Sequence, residues 1–257
     1  MSKGKPGGKC KRWRCVCAYD GTDYAGWQKQ PSGLAVQDKI EYALEEIFGQ
    51  SIRTVGAGRT DAGVHALGQV FHFDAPWPHK EESMLQAMRS RFPFGISPRE
   101  LSEVEPDFHA LHSANGKRYR YRVCRGWAIP QEDRFVNSLR GSAVQSQPMR
   151  IGAEAFLGVH DFAGFSANRG DGEGESTVRE VTRVDILESA GNLEFVVEGG
   201  GFLYKMVRSM VGALLDVGSG KMEPDEIKST LKSGKRTERV VSAPAKGLCL
   251  EAVFYSK

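Results

Sequence analysis

The sequence predicts an α+β fold made of two halves, and three observations support this. Residues 12–106 alternate strand-like and helix-like runs in the order β–α–β–β–α–β. Two of those runs carry helix signals: residues 36–48, with Val36, Ile40, Leu44 and Ile47 at helical spacing and Gly49 as a stop, and residues 81–91. Beyond Pro106 the chain begins again with alternating strands and a long apolar helical run. The order of the first half is ferredoxin-like, an arrangement shared with RRM-like RNA-binding folds, so antiparallel or mixed sheets are expected.

Residues 1–11, with Lys3, Lys5, Lys9 and Lys11 among glycines, read as a disordered basic arm. Residues 12–19 form a first strand ending in the polar turn Asp20-Gly21-Thr22-Asp23, and the helix 36–48 follows. A short strand at 53–55 enters a glycine-dense turn, and 69–74 leave it as a strand. After the helix 81–91 comes a turn-rich stretch, 93–98, then alternation over 99–105 that stops at Pro106. The halves are therefore 12–106 and 107–257.

In the second half, strict alternation puts Tyr119, Tyr121 and Val123 on one face of a strand and Arg118, Arg120 and Arg122 on the other. Residues 127–146 are irregular, 149–156 helical, and 166–176 a glycine-rich acidic loop. Strands at 179–188 and 193–198 precede three glycines that open a helix over 202–217. Leu203, Met206, Val207, Met210, Val211 and Leu214 form its core face, with Tyr204, Arg208 and Gly212 on a separate stripe. A helix near 224–232 and a strand at 248–255 complete the chain.

Composition narrows the function classes. With 257 residues, 40% hydrophobic and 26% charged, the chain can bury a sizeable core. No apolar run approaches the roughly 20 residues of a membrane span, and the N-terminus lacks the apolar segment of a secretory signal, so a cytoplasmic protein is expected. Five cysteines are spread without a Cys-x-x-Cys pair, and buried free thiols are expected rather than a metal site. Net charge is only +3, but two acid-free basic blocks, one from Lys3 to Arg14 and one from Lys117 to Arg125, suggest a phosphate-binding track. A solvated charged face is the alternative.

The turn at 56–66, Gly-Ala-Gly-Arg-Thr-Asp-Ala-Gly-Val-His-Ala, concentrates the chemistry. Its glycines permit positive φ and close approach of another molecule. It lacks the Gly-Lys-Ser/Thr of a Walker loop, and an acid at 61 would repel a dinucleotide pyrophosphate. On spacing alone two readings stand: Asp61 as a reactive carboxylate beside Arg59, or Asp61 as a turn cap beside a solvated arginine. His65, His72 and His79 recur every seven residues but would not share a face, and His65 reads as structural.

Gly58-Arg59-Thr60-Asp61-Ala62-Gly63-Val64-His65-Ala66 resembles the active-site segment of the tRNA pseudouridine synthase A family. The segments 19–28, Asp107-Phe108-His109-Ala110, Lys117-Arg118-Tyr119-Arg120-Tyr121, 202–208 and 243–248 resemble that family in the same order, covering nearly the whole chain. The resemblance implies two halves around a central catalytic cleft, with no cofactor and no metal. It implies isomerisation of uridine to pseudouridine at positions 38, 39 and 40 of the tRNA anticodon stem-loop, by a homodimer. It assigns the catalytic carboxylate to Asp61 and its guanidinium partner to Arg208. It assigns uracil stacking to Tyr119, packing beneath the target base to Leu248, and filling of the vacated stack to Arg59. Lys117, Arg118, Arg120, Arg12 and Arg14 would then meet RNA phosphates. The rivals are an RNA-binding module without chemistry, which gains nothing from Asp61, and a nucleoside hydrolase, for which Asp23 or Asp74 would have to supply a second acid.

Overall fold

The computed structural model describes residues 9–167, 176–189 and 191–256, which form two compact units. The first holds the chain through Asn115 and again from Leu250; the second spans Gly116–Cys249. The divide therefore lies beyond the expected 106/107 boundary. Residues just past Pro106 stay with the first unit because Phe108 packs on Tyr255, centroids 5.2 Å apart, and the Tyr255 hydroxyl donates to the Ala110 carbonyl at 2.7 Å.

In the first unit, β1 (Cys10–Tyr19) lies between β3 (His65–Pro76) and β4 (Ile96–Val104), antiparallel to both. The strand order is β4-β1-β3 followed by β10 (Leu248–Tyr255), and β2 (Thr54–Gly56) also pairs with β3. Alternation along β1 buries Trp13, Cys15, Cys17 and Tyr19 on one face. Helix α1 (Val36–Phe48) buries Val36, Ile40, Ala43, Leu44 and Phe48, and α2 (Glu81–Arg91) adds Met84 and Met88. Phe48 meets Phe73 of β3 at 6.3 Å between centroids. Each large apolar side chain buried in this way contributes about 1.5–3 kcal/mol. Asp38 accepts the Ala35 N–H at the start of α1, and Gly49, at φ 66°, ends it.

Expected strand boundaries in this unit move, and β3 begins at His65 rather than at residue 69. Strand β1 begins at Cys10 rather than at residue 12, because Cys10 and Lys11 pair with Pro76 and Ala75. Strand β4 begins at Ile96 and includes Pro98 within the stretch expected as turns. Proline is tolerated there because β4 is an edge strand and the register against β1 shifts between Val16 and Cys17, opposite Pro98. Residues 1–8 of the expected arm and 168–175 of the expected acidic loop lie outside the described residues.

In the second unit, β5 (Ala114–Cys124), β9 (Asn192–Gly199), β8 (Val178–Ser189) and β7 (Gly158–Asp161) follow one another antiparallel, and the two-residue β6 (Asn137–Ser138) runs parallel to β5. Helices α3 (Ser146–Glu154), α4 (Met206–Gly218) and α5 (Pro224–Ser233) pack together, and a Cβ on Gly152 of α3 would stand 3.0 Å from Ile227 and 3.4 Å from Leu214. Helix α4 starts at Met206, four residues later than the periodicity suggests. Lys205, its N-cap, sits at φ 59°, and this left-handed turn separates Phe202, Leu203 and Tyr204 from the helix. Among the described residues no helix is long and apolar enough to cross a membrane.

Candidate active site

In the first unit, the turn carrying Asp61 is fastened on every side by its neighbours. The Ala57 N–H donates to Val70 at 2.7 Å, the Trp27 N–H to the Thr60 carbonyl at 3.1 Å, and the Val64 N–H to the Asp61 carbonyl at 3.1 Å. Side chains complete the frame: Gln69 Nε2 donates to the Gly58 carbonyl at 2.9 Å, and the Tyr19 and Thr60 hydroxyls lie 2.8 Å apart. His65, buried, accepts the Gly21 N–H on Nδ1 at 3.0 Å, with Asp20 Oδ1 3.2 Å away. That places His65 in the structural role expected of it.

Close packing explains one glycine outside the turn. Gly26 has φ 87°, and a Cβ there would stand 2.6 Å from the Thr60 carbonyl oxygen and 3.1 Å from the Asp61 carbonyl carbon. Segment 25–27 can therefore lie directly against the backbone of the acid only with glycine at position 26. Asp61 itself is partly buried, while Arg59 is exposed and donates from Nε to Gln28 Oε1 at 3.2 Å. The other two histidines of the seven-residue spacing diverge. His72 is buried on β3 and accepts the Ala110 N–H at 3.1 Å, whereas His79 stands edge-on to Trp77 at 5.5 Å.

The second unit gathers a different set. Tyr119 and Tyr121 share the buried face of β5, 7% and 0% exposed. Tyr119 meets Phe202 edge-to-face at 5.2 Å. The Tyr121 hydroxyl donates to the Pro244 carbonyl at 2.9 Å, and burial pushes its pKa well up, partly offset by the nearby Arg208 charge and the Asn137 side chain. Gly247 lies over the Tyr121 ring so closely that a Cβ would meet it at 2.6 Å, and Leu248, 5% exposed, follows directly. Arg208 lies on α4, its Nε donating to the Ala243 carbonyl at 2.8 Å. Beside it Gly212, on the same stripe, admits a second segment: a Cβ there would be 1.9 Å from the Val241 carbonyl oxygen.

Most of the basic residues expected to meet phosphate are engaged with acids or buried. Arg118 pairs with Glu198 at 2.7 Å, Arg120 with Glu194, and Arg122 lies 3.5 Å from Glu194, forming a cross-strand ladder between β5 and β9. Lys117 is 7% exposed, and burial, with the charge of Arg179, lowers its pKa. Arg12 forks onto both Asp74 oxygens at 2.8 Å and donates from Nη1 to the Pro106 and Phe108 carbonyls. The hydrogen bonds from Arg12, aided by its charge and opposed by burial, accordingly hold the Asp74 carboxyl below its usual range. Arg14 lays its guanidinium over the Tyr255 ring at 5.3 Å.

A family profile described as "tRNA pseudouridine synthase" matches residues 16–111 and 153–256. Curated proteins named tRNA pseudouridine synthase A are similar over nearly the whole chain. One from Syntrophotalea carbinolica is 42% identical across 95% of this chain and 96% of its own, and one from Exiguobacterium sibiricum is 39% identical across 95% and 97%. One from Chlamydia pneumoniae is 41% identical across 94% and 91%.

The chain belongs to the tRNA pseudouridine synthase A family.

Its activity class is accordingly that of an isomerase. The residues that spacing could not single out are those holding the Asp61 turn and the Arg208 side chain in place. Thr60 and Tyr19, Gln69 and Gly58, and Arg208 and Ala243 are 41, 11 and 35 residues apart. Their only sequence signal was that most of them fall inside the segments carrying the resemblance.

Proposed function

We propose that this chain converts uridine to pseudouridine at positions 38, 39 and 40 of the tRNA anticodon stem-loop, with Asp61 as the catalytic carboxylate. The observation that carries this reading is a partly buried aspartate on a turn held by main-chain and side-chain bonds from four surrounding segments. Such a frame keeps a reacting oxygen in one place, which is where most of the rate gain from positioning arises.

The reaction breaks the N1–C1′ bond, turns the uracil, and joins C5 to C1′. The C5 proton is lost to solvent and N1 gains one, so the product is an isomer and no redox partner enters. Asp61 supplies the anionic oxygen, and Arg208 is assigned the electrostatic role of favouring its ionised form. Arg59, exposed at the head of the turn, is assigned to the space the extruded nucleotide leaves, where extrusion costs a few kcal/mol. Tyr119 and Leu248 are assigned to the uracil. Because Tyr119 is nearly covered, stacking on it requires local opening around the Phe202 ring. We assign the working form to a homodimer in the cytoplasm.

The test is tritium release from tRNA carrying 5-tritiated uridine, with the product mapped for pseudouridine. Asp61→Asn is isosteric but can act neither as nucleophile nor as base, so turnover should vanish while tRNA affinity and the unfolding transition stay near wild type. Activity within about tenfold of wild type would remove Asp61 from the chemistry. Release of free uracil would favour a hydrolase instead.

A further inference from the structure

The loop between β5 and α3 carries an aromatic shelf that the reaction described above does not use. Trp127 is 74% exposed, although Arg140 holds its guanidinium 5.3 Å from the centre of the Trp127 ring. Of the chain's four tryptophans, Trp13 and Trp27 are 1% exposed and the Trp77 N–H is tied to Lys80 and Ser83. Only the Trp127 ring lies this open. Arg140 adopts φ 54°, one of two non-glycine residues in the left-handed region among those described. That conformation costs about 1 kcal/mol or more and persists only where the surroundings impose it.

Those surroundings are rigid. The Leu139 N–H donates to Cys124 at 2.8 Å, Arg140 to Gly126 at 3.0 Å, and Gly141 to Arg125 at 2.9 Å. The Ser138 hydroxyl donates to the Gly126 carbonyl at 2.7 Å. The ring and its arginine are thus presented from a fixed scaffold, beside a cavity of about 410 Å³ lined by Trp127, Pro130, Asp133, Arg134, Ser138 and Arg140. The one carboxylate there, Asp133, is paired with Lys246 at 2.8 Å, so cations exceed acids around the opening. Lys246 belongs to the turn Ala245–Gly247 that leads into Leu248, which connects the shelf to the floor assigned to the target base.

We propose that the Trp127–Arg140 shelf is a nucleotide-stacking subsite that takes an unpaired base of the RNA substrate, with Arg140 and Arg134 facing its phosphates. It rests on the reading of this chain as an enzyme acting on RNA. An open indole face suits any base, since every base has a π surface, and guanidinium groups at its border match the anionic backbone. An apolar protein partner would gain nothing from two arginines at the rim.

Retention of labelled, transcribed tRNA on a filter by the full-length protein gives Kd, and KM and kcat are measured in parallel. Trp127→Ala should raise Kd and KM about five- to fiftyfold, the worth of one stacked base, with kcat within about threefold. Trp127→Tyr should recover most of the loss. Arg140→Gly, which suits the left-handed backbone, should weaken binding and lower the slope of log K against log salt by roughly 0.7 to 0.9. Unchanged Kd in Trp127→Ala overturns the subsite. So does a change in sedimentation without a change in RNA affinity, which would make the shelf a protein contact. Because binding is read separately from turnover, a wild-type chain whose tRNA affinity depends on Trp127 yet which forms no pseudouridine would sink the proposed reaction and leave the subsite standing.

Discussion

Arg208 and Ala243 are joined twice: the Ala243 N–H donates to the Arg208 carbonyl at 2.9 Å, and Arg208 Nε donates to the Ala243 carbonyl at 2.8 Å. The guanidinium is therefore aimed by backbone before any substrate arrives, and the segment from Val240 to Pro244 is held along α4. Lysine at 208 would keep the charge but lose both the Nε bond and the planar fork. We expect Arg208→Lys to lower kcat by on the order of 10² with KM changed far less. Arg208→Ala should lose more, because the charge goes as well. An unchanged kcat with a raised Kd for tRNA would assign Arg208 to RNA binding.

Gly212 makes the same pairing testable by size. Glycine to alanine inside a helix ordinarily gains about 1 kcal/mol. Here the new Cβ would lie 1.9 Å from the Val241 carbonyl oxygen, and backbone must move. Gly212→Ala should therefore destabilise the protein by about 1–3 kcal/mol, read by urea unfolding, and lower activity by displacing Ala243 from Arg208. A stabilised, fully active variant would show that the segment is free to shift.

The arginine ladder leads to a smaller RNA effect than its charge suggests. Each phosphate that a variant no longer neutralises lowers the slope of log K against log salt by roughly 0.7 to 0.9. Because Arg118 and Arg120 already pair with Glu198 and Glu194, replacing both with glutamine should change the slope by less than the effect of one phosphate. Stability should fall by a few tenths to about 1 kcal/mol for each pair. A drop matching two phosphates would show that RNA takes the arginines over from their carboxylates.

His72 supplies a pH dependence of stability. Burial first, then the charges of Arg12 and His109, hold its pKa down to about 4, with Asp74 opposing. The ordinary value is 6.5, so between the two the unfolded chain binds more protons than the folded one. The contribution is fully present above about pH 6.5 and is lost as pH falls toward about 4, up to about 3 kcal/mol in total. His72→Asn, able to accept the Ala110 N–H, should flatten that part of the profile in urea unfolding measured across the window. An unchanged profile would place the titration elsewhere.

Local periodicity in the sequence determined what local physics controls. It set the β–α–β–β–α–β order, the bounds of α1 and α2, the final strand, and the alternation that buries Tyr119 and Tyr121 while turning Arg118 and Arg120 outward. The glycine-dense turn around Asp61 was likewise legible, because backbone freedom belongs to the residue itself. Tertiary structure alone decided what each group meets. A period of two tells which face of β5 an arginine occupies but not that β9 brings Glu194 and Glu198 opposite it. Helical spacing placed Arg208 and Gly212 on one stripe but could not show a segment some thirty residues later covering it. The same limit hid the clamp of Arg12 on Asp74, Pro106 and Phe108, and the burial of Lys117. Partners of this kind depend on strand register and on the meeting of distant segments, which are fixed by the packing of the whole unit rather than by the spacing of residues along the chain.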